Sequence, residues 1–209
     1  YFTRYILGKN ISKIQNISDI YSWSEFQVVE RAFNYAIRRN SDIKINACQF
    51  LVSYPVYFNM HVQDIDEISD FAPNRVLVNG SHYLLKRKEV NYQLGASLRY
   101  QKLFEYKSQY LGSNIVLLGS YFIDETMNML KLVSNFDAVL FKGHPAIDVD
   151  VYRDSMGENI KVINENIYDL FPKTALIIGS ATGSLVEAIA CGVSVVVVAR
   201  KNELITNPL

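Results

Sequence analysis

The sequence predicts an α/β fold with a parallel, doubly wound sheet, because short apolar runs alternate with helix-like segments along its second half. Such alternation is typical of βαβ units, in which a helix connects each strand to the next parallel strand. Five apolar runs indicate the strands: Asn114–Gly119, Ala138–Lys142, Ile160–Ile163, Ala175–Gly179 and Val193–Ala199. The β-branched residues of Val193–Val198 predict a central strand that is buried on both faces.

Helices are predicted between these runs. Asp124–Asn135 has apolar residues at helical spacing, which indicates a helix with one apolar face. Shorter helices are predicted at Ile167–Phe171 and at Ser184–Cys191. We therefore expect a parallel sheet with helices on both of its faces.

The first half of the chain is less regular and starts with a predicted amphipathic helix over Ser24–Arg39. Ser24 is the expected N-cap, and Gln27, three residues later, completes a capping-box pattern. Further elements are predicted as strands at Ile43–Phe50, Arg75–Val78 and Tyr92–Gly95, a turn at Asn79-Gly80 and a short helix at Tyr83–Lys88. Tyr54–Pro73 is expected to be an irregular loop. The change of rhythm between Gly95 and Gly112 predicts two domains, residues 1–98 and 99–209.

The composition excludes several classes of protein. The chain has 209 residues with 21 basic and 21 acidic side chains, so its net charge argues against a nucleic-acid-binding protein. Its two cysteines are far apart in the sequence, which excludes a disulfide scaffold and favours the cytoplasm. No apolar run reaches the ~18 residues of a membrane span. Because the chain begins with Tyr1 and ends just after a strand-like run, we expect a fold that is incomplete at both ends.

The strongest local signal is Gly179-Ser180-Ala181-Thr182-Gly183-Ser184, which lies between a predicted strand and a predicted helix. Small residues, hydroxyls and a helix N-terminus are suited to binding phosphate. The alternative is a tight turn in which a hydroxyl only caps the helix. The segment is neither a Walker A loop nor a dinucleotide fingerprint, because the lysine and the glycine spacing of those motifs are missing.

A second signal follows the strand at Ala138–Lys142, where the sequence is Lys142-Gly143-His144-Pro145. Ligands of open α/β sheets bind beyond the carboxyl ends of the strands, so this segment and the Ser/Thr turn share one edge. Lys142 and His144 could place cationic or donor groups near a phosphate, with Pro145 stiffening the turn. A solvated surface turn is the alternative.

Three charged residues complete the candidates. Glu187 could bind the hydroxyls of a ribose or complement the helix dipole. Arg200 could meet a phosphate or be a solvated charge. Glu25 could be a general base beside Trp23, or simply an acidic residue at a helix start.

The other titratable residues give weaker indications of a functional site. Asp64, Asp66 and Glu67 form an acidic cluster that is either a solvated loop or an alternative source of the base. His61 and His82 lack ligand-like spacing, so we expect no metal site.

These motifs together resemble bacterial surface-carbohydrate glycosyltransferases of the GT-B fold, the enzymes of capsule and lipopolysaccharide biosynthesis. The matching stretches are Trp23-Ser24-Glu25 through Arg38-Arg39, Val78-Asn79-Gly80, Gly95 through Gln101, Lys142 through Ala146, Gly179–Ala190, Cys191–Arg200, Lys201-Asn202 and Asn207-Pro208. The resemblance covers most of the chain. The His-Pro and Ser/Thr motifs are similar to those of sialyltransferase-like and CDP-glycerol-transferase-like enzymes.

The resemblance implies two Rossmann-like domains, with the end of an acceptor domain in residues 1–98 and a truncated donor domain in 99–209. It implies that His144 contacts the donor phosphate, that Ser180, Thr182, Gly183 and Ser184 cradle it, and that Glu187 binds the ribose. Lys142, Pro145 and Arg200 would belong to the same donor site, and Glu25 would be the base.

The implied reaction is an inverting, metal-independent transfer of a sugar from a nucleotide-sugar donor, CMP-sugar being favoured, to a growing surface glycan or lipid-linked acceptor. No cofactor and no nucleic acid would take part. The expected location is the cytoplasm, with peripheral association at the inner face of the inner membrane. A sugar-nucleotide epimerase of the two-Rossmann type and a non-catalytic assembly subunit of polysaccharide biosynthesis are the alternatives.

Overall fold

The computed structural model describes residues 1–49, 61–95, 98–106, 112–180 and 182–199. The chain divides into two compact units, Tyr1–Arg99 and Tyr100–Leu209. Among the described residues, the first unit holds a four-stranded sheet and the second a five-stranded sheet, and all the strand pairs are parallel. The predicted α/β class is therefore confirmed, as two parallel sheets flanked by helices.

The sheet of the first unit has the strand order β1-β2-β3-β4. Its elements in chain order are α1 (Phe2–Ile11), β1 (Asp19–Ser24), α2 (Val28–Asn40), β2 (Lys44–Gln49), α3 (Asp64–Ile68), β3 (Arg75–Val78), a 3₁₀ helix (Ser81–Tyr83) and β4 (Asn91–Leu94). A 3₁₀ segment over Leu98–Glu105 follows, and its helical conformation is interrupted at Tyr100. Phe33 and Ile37 of α2 pack on Ile45 of β2, because the apolar stripe of the helix faces the sheet.

The start of the long helix differs from the prediction. Ser24 ends β1 instead of capping the helix, which begins at Val28 with Gln27 as its N-cap. Glu30 completes the capping box by accepting a hydrogen bond from the Gln27 backbone N–H. The cause is Phe26, whose left-handed backbone (φ 55°) turns the chain so that its ring enters the core.

Other elements of the first unit confirm or correct the sequence pattern. The three strands predicted at residues 43–50, 75–78 and 92–95 are β2, β3 and β4, although Phe50 lies outside the described residues. The helix predicted at Tyr83–Lys88 is wrong, because only Ser81–Tyr83 forms a 3₁₀ turn and residues 84–88 are not helical. The irregular loop predicted at residues 54–73 contains α3 in its described part, and the pattern does not predict α1 or β1.

The second unit follows the predicted rhythm closely. Its elements are β5 (Asn114–Leu118), α4 (Ile123–Leu132), β6 (Val139–Lys142), a 3₁₀ helix (Val149–Ser155), β7 (Ile160–Val162), α5 (Ile167–Leu170), a 3₁₀ helix (Phe171–Lys173), β8 (Thr174–Gly179), α6 (Gly183–Ala190) and β9 (Ser194–Val197). Leu117 of β5 packs against Met129 and Leu130 of α4, whereas Val116 packs against Leu185 of α6. Alternate residues of the strand point to opposite faces, so helices cover both faces as predicted.

The last strand is a correction. The β-branched run was expected to be central, but the strand order is β7-β6-β5-β8-β9, so β9 lies at an edge of the described sheet. Its residues alternate between exposed and half-buried. The central strand is β5, whose last three residues are all buried. In the described part of the chain, no helix combines the length and the hydrophobicity needed to span a membrane.

Candidate functional site

The candidate donor site lies at the carboxyl edge of the second sheet, where the chain reverses its direction of winding. From β5 the chain proceeds to β6 and β7 on one side, then returns to β8 and β9 on the other. The carboxyl ends of β5 and β8 therefore flank a topological switch point, the usual place for a ligand in such sheets. The loops after β5, β6 and β8 border it.

The loop after β5 contains residues that the sequence pattern does not single out. The Gly119 N–H donates a hydrogen bond of 2.8 Å to the carbonyl oxygen of Lys142, which joins this loop to the end of β6. A Cβ on Gly119 would lie 3.0 Å from the backbone nitrogen of His144, so only glycine allows this approach without displacement. A Gly-Ser pair directly after a buried strand is the sequence signal that could have found the loop.

Ser120 is held by the first turn of α4. Its backbone N–H donates to Thr126 Oγ1 at 2.9 Å, and its hydroxyl donates to the Glu125 carboxylate. The Ser120 hydroxyl oxygen also accepts a hydrogen bond from the Phe122 N–H at 3.1 Å. These bonds fix the backbone of the loop that separates the β6 loop from the β8 loop.

The His-Pro segment forms a β-turn. The Ile147 N–H donates to the carbonyl oxygen of His144 at 3.0 Å, which places Pro145 at the second position of the turn, where its fixed φ is favoured. The His144 ring is half-buried and meets the Tyr121 ring edge-to-face, with centroids 5.5 Å apart. His144 is thus in contact with the loop that follows the central strand.

Lys142 points elsewhere. Its ammonium donates a 2.8 Å hydrogen bond to the carbonyl oxygen of Glu165, in the loop after β7. Because β7 flanks β6 on the side opposite β5, this bond draws the ammonium away from the switch point. The structure therefore brings the backbone of Lys142 next to His144 but holds its charge at a different loop. Its contact with a donor phosphate stays a prediction.

The turn after β8 has the capping geometry. Thr182 is the N-cap of α6, and its hydroxyl accepts from the Ser184 N–H at 3.4 Å. The Thr182 N–H donates to the carbonyl oxygen of the buried Ser180 at 2.8 Å, and Gly183 begins the helix. Thr182 therefore caps the helix, as the alternative interpretation predicts, and the turn lies at the switch point. Phosphate binding by its hydroxyls stays a prediction.

Glu187 lies in the second turn of α6, beyond the first turn in which it would complement the helix dipole. Its exposed fraction is 7%, and it lies near Cys191. Burial and then the negative charge of Glu187 raise the pKa of the Cys191 thiol above its ordinary value. Arg200 lies outside the described residues.

Glu25 is in the first unit, in the connection between β1 and α2. The prediction that Glu25 begins the helix is therefore wrong, because Glu25 precedes the N-cap residue, Gln27. Its carboxylate accepts a 3.0 Å hydrogen bond from the Gln27 side chain and is half-buried. Its neighbour Trp23 is 51% exposed. Glu25 follows the carboxyl end of a parallel strand, as a ligand-facing residue of such a sheet would.

The acidic cluster is tied to other side chains. Asp66 on α3 is buried and forms a two-bond ion pair with Arg31, at 2.7 and 3.0 Å. Asp64 pairs with Arg87, and Glu67 accepts from the Glu89 N–H. These carboxylates therefore hold α3 against its neighbours, and the alternative interpretation as a solvated loop is wrong for Asp66.

A surface pocket of about 460 Å³ lies at the opposite edge of the first sheet, where β1 and β2 begin. Ser18, Asp19, Asp42 and Lys44 are among its lining residues. Hydrogen bonds from Ser18 and Asn46 lower the pKa of Asp19 below its ordinary value. The pocket does not coincide with any predicted site residue. Parallel sheets bind ligands at their carboxyl edges, so those edges, and not this pocket, are the candidate sites.

In the described segments, no three His, Cys, Asp or Glu side chains are grouped so that they could hold a metal ion.

No protein-family model matches this sequence, and no curated protein is significantly similar to it.

Proposed function

We propose that the protein is a glycosyltransferase that moves a sugar from a nucleotide-sugar donor, most readily a CMP-sugar, to a growing bacterial surface glycan. The observation that carries the proposal is the switch point of the second sheet. The His144 turn contacts the loop after β5, and the Thr182-capped turn follows β8 on the other side of that strand. Donor phosphate oxygens would bind in this crevice, where ligands of open α/β sheets collect.

The chemistry of the two turns supports a phosphate ligand. Backbone N–H groups at the start of α6 and the hydroxyls of Ser180, Thr182 and Ser184 are donors for phosphate oxygens. His144 adds a ring N–H. As the bond between the anomeric carbon and the phosphate oxygen breaks, the electron pair stays on the nucleotide, and these donors stabilise the growing negative charge.

The acceptor is proposed to be activated from the first unit. Glu25 would take the proton of the acceptor hydroxyl while the hydroxyl oxygen attacks the anomeric carbon, which inverts its configuration. A base must come within about 3 Å of the hydroxyl, directly or through one water. Asp66 is a poor rival because its carboxylate is buried against Arg31.

Nucleotide binding is the first test. Titration of the full chain with CMP, CDP, UDP and GDP by calorimetry should give the tightest binding for a cytidine nucleotide. His144→Ala should weaken that binding by roughly 1–3 kcal/mol, the scale of a lost hydrogen bond to a charged group. His82→Ala, which changes an exposed histidine of the first unit, is the matched control and should leave the affinity unchanged. A folded His144→Ala variant with normal affinity would contradict the donor role.

Turnover is the second test and concerns Glu25. In the full-length protein, Glu25→Gln keeps the shape of the side chain and removes its basicity, so transfer should fall by about 10²-fold or more while nucleotide binding persists. Products should be analysed with and without an acceptor glycan. An epimerised sugar formed without acceptor would indicate an epimerase instead.

A further inference from the structure

The His144 ring makes a local hydrogen bond that fixes which of its nitrogens carries a proton. Its Nδ1 lies 3.1 Å from the backbone nitrogen of Ala146, which donates its N–H to the ring. A nitrogen that accepts a hydrogen bond has its lone pair available and carries no hydrogen. In the neutral ring the hydrogen is therefore on Nε2, which is a hydrogen-bond donor.

The backbone around His144 makes this bond possible. The β-turn closed by the Ile147 N–H folds Ala146 back toward the His144 side chain, and Pro145 at its second position cannot compete with an N–H of its own. The donor to Nδ1 is a main-chain group with a fixed position. The ring is thus oriented by the turn and not by a flexible partner.

Tyr121 restrains the same ring from the neighbouring loop. The two rings meet at 84°, with centroids 5.5 Å apart, which is the edge-to-face arrangement that aromatic pairs prefer. Tyr121 is 62% exposed, and its ring also meets the Phe122 ring edge-to-face, with centroids 5.6 Å apart. Tyr121 follows Ser120, whose backbone is held by Thr126.

We propose that His144 is preset as the neutral Nε2–H tautomer, with Ala146 and Tyr121 fixing its ring, so that Nε2 donates a directed hydrogen bond to a phosphate oxygen of the nucleotide. Tyr121 is then a positioning residue of the donor site. This inference rests on the proposed function for the identity of its ligand.

Nuclear magnetic resonance of the free chain tests the tautomer without any ligand. In a long-range ¹H–¹⁵N spectrum of ¹⁵N-labelled protein at about pH 8, His144 should show an unprotonated Nδ1 and a protonated Nε2. Tyr121→Phe keeps the ring and should give the same pattern. Tyr121→Ala should shift the His144 ring signals, because the ring loses its edge-to-face partner. A protonated Nδ1 in the unaltered chain would overturn the proposal.

Two substitutions of His144 separate the role of each nitrogen in binding. Asn can accept the Ala146 N–H with its side-chain oxygen but has no donor at the position of Nε2. Gln reaches that position with its amide N–H but leaves Ala146 without its acceptor. We expect His144→Asn to lower CMP and CDP affinity about tenfold or more and His144→Gln to lower it by about threefold. Equal affinity for the Asn variant and the unaltered chain would overturn the proposal.

Tyr121 should affect nucleotide affinity through its contact with the His144 ring. Tyr121→Ala should weaken CMP binding by about threefold to tenfold, and Tyr121→Phe should restore it, because the edge-to-face contact does not need the hydroxyl. In the His144→Asn background, Tyr121→Ala should cause no further loss of affinity. A further loss would show that Tyr121 acts on the ligand directly, which contradicts a positioning role.

Inorganic phosphate distinguishes this inference from the proposed function. If the chain binds phosphate but no nucleotide, and His144→Asn removes that binding, the inference holds and the glycosyltransferase proposal fails. If nucleotides bind and are turned over while His144→Asn has no effect, the inference fails and the proposed function stands. A chain that binds neither phosphate nor nucleotide overturns both.

Discussion

Asp64 and Asp66 lie in the first turn of the same short helix, and each pairs with an arginine, yet their surroundings differ. The Asp66 side chain is 5% exposed and its partner is Arg31, whereas the Asp64 side chain is 86% exposed and its partner is Arg87. Asp66→Asn should lower the free energy of unfolding by about 3 kcal/mol, because it leaves the charge of Arg31 without its partner. Urea denaturation measures the change.

Asp64→Asn is the matched control for this prediction. It removes a carboxylate from the same helix turn, but the ion pair is solvated and should contribute less than about 1 kcal/mol. Equal losses for the two variants would show that burial does not decide the strength of these pairs.

His61 should make stability depend on pH. Burial, and then the positive charge of Arg87, lower the pKa of His61 below its ordinary 6.5. The unfolded chain therefore takes up a proton before the folded chain does, and stability is lost as the pH falls from about 6.5 through the lower pKa of the folded state. His61→Gln should lessen the drop in melting temperature between about pH 7.5 and about pH 5.5. His82→Gln should keep the drop unchanged, and the same result for His61→Gln would contradict the assignment.

At the scale of elements, α1 and α2 pack together through a glycine. A Cβ on Gly8 would lie 2.8 Å from the carbonyl oxygen of Phe33 and 2.9 Å from the Cβ of Ala36. Gly8→Ala should destabilise the chain, since overpacking costs about 1–3 kcal/mol and the gain in helix propensity is only about 0.5–1 kcal/mol. Gly80→Ala is the control, because no atom lies within 4 Å of the added carbon. A higher urea midpoint for Gly8→Ala would refute the close packing.

The strands of the second unit could be predicted from the sequence because each is a compact apolar run between polar turns. The position of a strand within its sheet could not, as β9 shows. Its β-branched residues suit any strand, and only the pairing of β5 with both β6 and β8 decides which strand is central. In the first unit, Ser24 and Gln27 have the spacing of a capping box, but the structure forms its capping box from Gln27 and Glu30. The helix starts later because the burial of Phe26 in the core contributes more to stability.

The candidate site was predictable to a similar extent. A glycine-hydroxyl turn after a buried strand indicates a βα turn at the carboxyl edge of a sheet, and Thr182 caps α6 there. The sequence does not reveal that Tyr121 contacts His144 or that Lys142 bonds to Glu165, because both contacts join loops that are distant in the chain. Such contacts depend on the strand order, which local patterns do not encode.

At the scale of the whole molecule, each sheet takes its described strands from one unit only. Residues 100–209 expressed alone should therefore fold cooperatively, with a dispersed ¹H–¹⁵N spectrum whose resonances overlay those of the full chain. Residues 139–209, which lack the central strand β5, are the control and should give the narrow spectrum of an unfolded chain. A narrow spectrum for residues 100–209 would show that the second unit needs the first.

The central place of β5 has a consequence for biosynthesis. A ribosome releases β5 before β6, β7 and β8, yet the partner of Leu117 on its other side is Ile178 of β8, which is synthesised after both β6 and β7. Until β8 emerges, the nascent chain presents an unpaired strand edge and an uncovered apolar surface, the features that promote association between chains. The pairing of distant segments also slows folding. Production of this protein should therefore benefit from chaperones that shield the strand edge and the apolar surface of β5 until β8 has been synthesised.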